Sequence, residues 1–221
     1  MLLNYITLSK YDIDIDNLID FYKRFKVLKP IDSLVSNWLD VIRYAYLHNK
    51  CSITYDKNKP CKYYQQLIKI PDIAEFYIHF NIDKAVEISK NYQLQTLNSR
   101  LLIHNNVEFE PQQDLKNYHF TCEAPIIIVD FPCKLQSEKM VIDGNHRMTA
   151  KVLKNRNVRF ANFYPNDTVL IIPQTFEQAW YLFAIELNDI LKLKSFNQKT
   201  DFIDNKSVCE KFFTHISSGE K

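Results

Sequence analysis

Val141-Ile142-Asp143-Gly144-Asn145-His146-Arg147-Met148-Thr149-Ala150 sets an Asp-Gly turn, an amide, an imidazole and a guanidinium between an apolar run and a helix-prone segment. Strand, glycine turn and helix start, in that order, make a corner able to hold a phosphate. Asp143 and Gly144 reverse the backbone after the strand, because glycine accepts a positive φ. Asn145 is placed to cap the following helix, leaving its early amides to an anion at the favourable end of the helix dipole. Arg147 can add a bidentate, charge-assisted contact. His146 can donate a hydrogen bond, hold the loop in shape or exchange a proton. Asp143 can brace the turn or help bind Mg2+ together with nucleotide phosphates. A structural reading is also coherent: Asp143 and Asn145 satisfy turn amides, His146 stacks at the surface and Arg147 pairs with a carboxylate.

Working outward, Ile126-Ile127-Ile128-Val129-Asp130 after Pro125 is strongly β-branched and reads as a buried strand. Residues 131–138 read as a turn or hairpin connection, 139–142 as a strand, 146–153 as a helix and 158–163 as a strand. Pro165-Asn166-Asp167 reads as a turn and 168–172 as extended, as do 101–103 and 107–109, with a connection over 111–116. Thr175 can cap a long helix through Leu191, and 207–215 suggests a last short one. Before residue 95 the spacing is helical. Ile13 to Phe25 and Leu34 to Ala45 form two helices parted by Pro30, with Asp32 or Ser33 able to cap the second. A third helix is expected around Tyr63, Tyr64, Leu67 and Ile68, a fourth over 72–80 and a fifth over 82–92, after a polar connection from Asn49 to Pro60. The simplest partition is a helical region over 1–94, an α/β domain over 95–172 and a helical extension over 173–221.

The 221 residues, 46% of them apolar and including 15 Phe and 13 Tyr, suffice for a sizeable core and exclude global disorder. A net charge of +2, from 28 basic against 26 acidic residues, is not the footprint of a dedicated nucleic-acid binder, although scattered lysines can still converge in space. The chain has only 2 glycines, which draws attention to Gly144; the other, Gly219, lies in the polar tail. Five cysteines, odd in number and without a C-x-x-C pair, fit a reducing compartment and small buried side chains. Zinc on Cys51 and Cys61 would need ligands that the sequence does not place. With neither a signal-peptide pattern nor a membrane-length apolar run, a cytoplasmic protein without membrane association is expected.

Pro125 to Asp130 followed by Val141 to Lys151 resembles the core of the ParB amino-terminal/sulfiredoxin-like superfamily. The resemblance spans about 95–172, and its specific match is confined to 125–154. It implies an α+β fold with a mixed sheet, flanked by a helical amino-terminal region and a carboxy-terminal helical extension. It also implies nucleotide binding, since members include CTP-binding partition proteins, ATP-using sulfiredoxins and nucleotide-dependent serine kinases. Carried over, Gly144 would let the loop approach phosphate, while Asn145, His146, Arg147 and Met148 would line the nucleotide side. Asp143 resembles the acidic turn residue of the kinase-like branch. Asn145 stands where sulfiredoxins carry their cysteine, which argues against thiol chemistry. The arginine-rich turn and helix-turn-helix domain of partition proteins are missing.

The resulting expectation is a nucleotide-binding protein using a tri- or diphosphate with Mg2+, as a phosphotransferase or nucleotide hydrolase. Asp143, His146 and Glu123 are its candidate catalytic groups, and Asp143 and Glu123 its candidate metal ligands. Two alternatives remain, a non-catalytic regulatory or interaction module and a DNA-binding factor or nuclease. Glu123 is equally read as a surface carboxylate ahead of the strand, and Glu108 and Glu110 as the exposed side of a strand. His104 and His119 read as surface or supporting residues. The broad aromatic character of the helix after Thr175, with Trp180, Tyr181 and Phe183, points to core packing ahead of a protein partner.

Overall fold

Asp14 accepts the main-chain N–H groups of Asp16 and Asn17, and this cap starts α1 (Ile15–Lys23). The computed structural model describes residues 13–24, 32–49, 61–113, 124–131, 139–195 and 206–218. After α2 (Asp32–Leu47) the chain forms not helices but a two-stranded hairpin, β1 (Tyr63–Ile70) and β2 (Ala74–Asn81). The two helices expected over 63–80 are therefore corrected. Phe76, Ile78 and Phe80 are all buried while Glu75 and Tyr77 are exposed, an alternation of period two that a helix cannot bury. The reversal uses Pro71 and Asp72, the latter at φ 60°.

Asn81 caps α3 (Ile82–Ser89), which leads to the edge strand β3 (Gln95–Asn98). The extended stretch expected at 101–103 is instead α4 (Ser99–His104), because the Asn98 side chain accepts the Arg100 N–H and starts a helical turn. β4 (Val107–Glu108), β5 (Ile126–Asp130), β6 (Lys139–Asp143), α5 (Asn145–Leu153) and β7 (Asn157–Phe163) follow in the expected places. Pro165 then occupies the first position of α6 (Pro165–Ile171), where its missing N–H costs nothing. The turn expected at 165–167 and the extended stretch expected at 168–172 thus become one short helix. The chain ends with α7 (Thr175–Ser195) and α8 (Lys206–Ser218).

Five strands form one mixed sheet in the order β3-β7-β5-β6-β4. β5 is parallel to β7 and antiparallel to β6; β3 is antiparallel to β7 and β4 parallel to β6. Ile126 and Ile128 share a core with Leu102 of α4, Met148 of α5, Val141, Val158 and Phe160. Ile127 and Val129 point to the opposite side and are equally buried, and α3 and α6 also lie against β5. Helices thus cover both faces, which is why the β5 run is apolar without interruption.

The described residues divide into two compact units, one holding 61–64 and 80–171, the other 13–49, 65–79 and 172–218. The first contains the sheet. In the second, Phe176, Trp180, Tyr181 and Phe183 of α7 are buried, with Trp180 Nε1 donating to the Tyr22 hydroxyl at 3.1 Å and Tyr22 set edge-on to Phe183. The aromatic face of α7 is core. No helix of the described residues is long and apolar enough to cross a membrane. Cys61 is half-buried and Cys209 buried, and the other cysteines lie outside the described residues.

The second unit also seals a polar cluster at the start of α7. Glu177, with no exposed surface, accepts the His79 N–H at 2.8 Å, the His79 Nδ1 at 2.6 Å and the Gln174 side-chain amide at 2.9 Å. Asn49 Oδ1 accepts the Phe176 N–H and the Thr175 hydroxyl, both at 3.2 Å, while its amide donates to Gln174 Oε1 at 2.9 Å. The cap of α7 therefore comes from Asn49, and Thr175 is the first helical residue.

Candidate functional site

Gly144, expected as part of the turn, is itself the N-cap of α5. Its φ is 93°, in the left-handed region, and it supplies no side-chain cap. Asn145 is consequently the first helical residue and not the cap expected from sequence. A Cβ at position 144 would lie 2.6 Å from Ile126 Cγ2 and 2.8 and 2.9 Å from Nη2 and Nε of Arg147. The space that glycine leaves is therefore filled by the Arg147 guanidinium and a core isoleucine. Glycine is needed here for two separate reasons, the backbone angle and this packing.

Arg147 folds back beneath the turn. Its Nη2 donates to Asp143 Oδ2 at 2.7 Å and to the Pro125 carbonyl at 3.2 Å. With side chains only 14% and 33% exposed, the Arg147–Asp143 pair is a partly buried clasp between the end of β6 and the residue before β5. It places the Arg147 guanidinium under the helix start with its charge largely balanced by Asp143. His146, next in the helix, is exposed. Met148 has no exposed surface and belongs to the core, and its N–H donates to the Gly144 carbonyl at 2.8 Å. It anchors α5 instead of offering a side chain to a ligand.

Two further residues join the turn, Glu110 from the end of an expected strand and Gln112 from the segment that reads as a plain connection. Asn145 Oδ1 accepts the Glu110 N–H at 2.9 Å, and Thr149 Oγ1 accepts the Gln112 N–H at 3.1 Å while donating to the Asn145 carbonyl at 2.8 Å. Residues 110–112 are thereby strapped along the first turn of α5. The Glu110 carboxylate, exposed, accepts the Tyr64 hydroxyl at 2.9 Å. Burial, followed by the negative charge of Glu110, pushes the Tyr64 phenol well above its ordinary range, so it is a permanent donor. No spacing in the sequence announces these partners, since Tyr64 and Glu110 stand far apart and meet only in the fold.

Of the residues singled out, Asp143, Gly144, Asn145, His146 and Arg147 are thus gathered at one helix start. Glu123 and His119 lie outside the described residues, and His104 is exposed at the end of α4. Among the described residues no three His, Cys, Asp or Glu side chains converge as a metal centre. A Mg2+ ion carried by nucleotide phosphates needs only one or two protein carboxylates, and Asp143 is the carboxylate nearest the turn in sequence. No known protein family, characterised protein or solved structure matches the chain.

Proposed function

We propose that the start of α5 binds the phosphates of a nucleotide. The observation that carries this reading is the helix start itself: a left-handed glycine N-cap without a side-chain cap, with the Arg147 guanidinium held directly beneath it. An anion above the first turn meets main-chain N–H groups and the positive end of the dipole, over an Arg147 guanidinium whose charge Asp143 partly offsets. The strap at 110–112 preorganises the turn, so little ordering is required when ligand arrives. The accompanying fold reading is a ParB amino-terminal/sulfiredoxin-like domain, supported by the Asp-Gly-Asn-His-Arg turn between a buried strand pair and a helix.

Within this reading Arg147 and the α5 amides stabilise phosphoryl charge. Exposed His146 is the group able to move a proton at the turn. Asp143 holds Arg147 in place and is the carboxylate able to meet Mg2+, which when bound would neutralise charge on phosphate oxygens. Transfer to an acceptor or hydrolysis is the activity proposed.

Isothermal titration with ATP, ADP, CTP and GTP, with and without Mg2+, tests the shared premise. Binding that Arg147→Ala weakens about tenfold or more, the scale of one charge-assisted contact, is the expected result. Folded protein that binds none of the four sinks the proposal. Binding without turnover would turn the reading from an enzyme to a regulatory module.

A further inference from the structure

The chain is nearly neutral overall, yet its charges are not evenly spread. No Asp or Glu occurs from Ile88 through Val107, and none from Gly144 through Asn166. The fold brings these two acid-free runs together. β3 pairs with β7, setting Thr96 opposite Arg159 and Asn98 opposite Asn157; the Ser99 N–H donates to the Arg156 carbonyl at 3.1 Å; and α4 packs on α5. Arg100, Lys154, Arg156 and Arg159 are exposed around this corner of the sheet, with Lys151 half-buried beside them.

Elsewhere three exposed cations, Lys23, Arg43 and Lys69, are each paired with a carboxylate, while the exposed Lys62, Lys84 and Lys90 are scattered over other elements. Among the described residues no carboxylate is paired with Arg100, Lys151, Arg156 or Arg159. Gln95, Thr96, Asn155 and Asn157 add exposed polar side chains of the kind that donate to phosphate and sugar oxygens. Neither 95–104 nor 151–159 contains Phe, Tyr or Trp, and the single ring, the His104 imidazole, sits at the end of α4 away from its start, so the corner has no aromatic platform for a run of unpaired bases. Three exposed apolar side chains, Leu101, Ile103 and Leu153, divided between two short helices, are too few for the continuous apolar face of a membrane-surface helix.

We propose that this corner, made by the start of α4, the end of α5 and the adjoining ends of β3 and β7, docks the sugar–phosphate backbone of a nucleic-acid duplex. Arg100, Arg156 and Arg159 are its phosphate ligands, with Lys151 the fourth cation beside them. The contact is independent of sequence, because phosphate and sugar contacts carry no base readout. It does not depend on nucleotide binding at Gly144.

The test is fluorescence anisotropy of a labelled DNA duplex of about 20 base pairs, titrated with the full chain from about 50 to 200 mM salt. Binding is expected to weaken with salt at a log–log slope of about −3 to −4, as about four neutralised phosphates require. Arg100→Gln/Arg156→Gln/Arg159→Gln, all exposed positions, should keep its circular dichroism spectrum, flatten the slope by about 3 and lower affinity at least about tenfold. Lys23→Gln/Arg43→Gln/Lys69→Gln removes the same charge elsewhere and should bind as the native chain does. Absence of duplex binding at the lowest salt would overturn the proposal. So would equal loss in both variants, or stronger retention of a single strand or of phosphatidylserine vesicles than of the duplex.

Discussion

Helices α5 and α7 begin in opposite ways. α5 starts at a glycine with no capping side chain, and the turn's own partners, Asp143 and Arg147, lie four residues apart at a partly exposed edge. α7 starts under a cap brought from Asn49, and its first-turn Glu177 is sealed among His79 and Gln174. The first arrangement has no side-chain cap; the second fills the first turn with the protein's own carboxylate. A glutamate in a first turn satisfies the dipole from within, so α7 is a joint and α5 a candidate site.

Breaking the sealed joint should have the largest effect. Glu177→Ala strands the ring and amide of His79 and the amide of Gln174 in the core, and is expected to cost about 3–5 kcal/mol, read by urea denaturation. A loss below about 1 kcal/mol would mean that water reaches this cluster. Gly144→Ala combines a left-handed backbone with a methyl group pressed against Ile126 and Arg147, for an expected loss of about 2–4 kcal/mol together with weakened nucleotide binding. Retained stability there would show that the turn can relax, and the contrast between a rigid site and a rigid joint would fall.

A third measurement separates charge from packing within the α7 unit. Trp38 Nε1 donates to Glu186 Oε2 at 2.7 Å, and burial pushes the Glu186 carboxyl up to about 7, against the hydrogen bond from Trp38, with Asp189 adding to the rise. A carboxyl whose folded value lies above its ordinary one favours the protonated form in the folded state. Its contribution is therefore present at acid pH and lost as pH rises through about 7. Glu186→Gln keeps an acceptor for Trp38 and should raise stability by about 1–3 kcal/mol at pH 8 with little change near pH 4, followed by thermal melts. A melting profile in which the variant and the native chain share the same pH dependence would remove this role. The smallest effect is expected from Asn49→Ala, about 1–2 kcal/mol for the lost cap of α7.

The same contrast explains how much the sequence discloses. The α5 turn is legible because its parts adjoin: a β-branched run, Asp-Gly, then a helical pattern. The joint at α7 is not, since His79 and Glu177 stand 98 residues apart, and 72–80 reads as a helix when length is weighed above the alternation of Phe76, Ile78 and Phe80. Asn98 and Pro165 were available as helix-start signals, but the short apolar runs behind them resemble strands equally well. Even at the legible turn, the roles of Gly144 and Asn145 emerge only in space. One is the cap and a berth for Arg147; the other is the tether of residue 110.

The chain's thrift with glycine has a consequence for its tolerance of change. Asp72, Asn106 and Asn155 also adopt positive φ, at 60°, 59° and 48°, and each does so with a side chain that the left-handed region accepts. Those three bends should survive replacement by glycine, and by one another's residue type. Gly144 has no such substitutes, because its constraint is volume as well as angle. In a library covering every position, three bends would read as permissive and one as frozen, and the frozen one marks where an arginine is stored inside a turn.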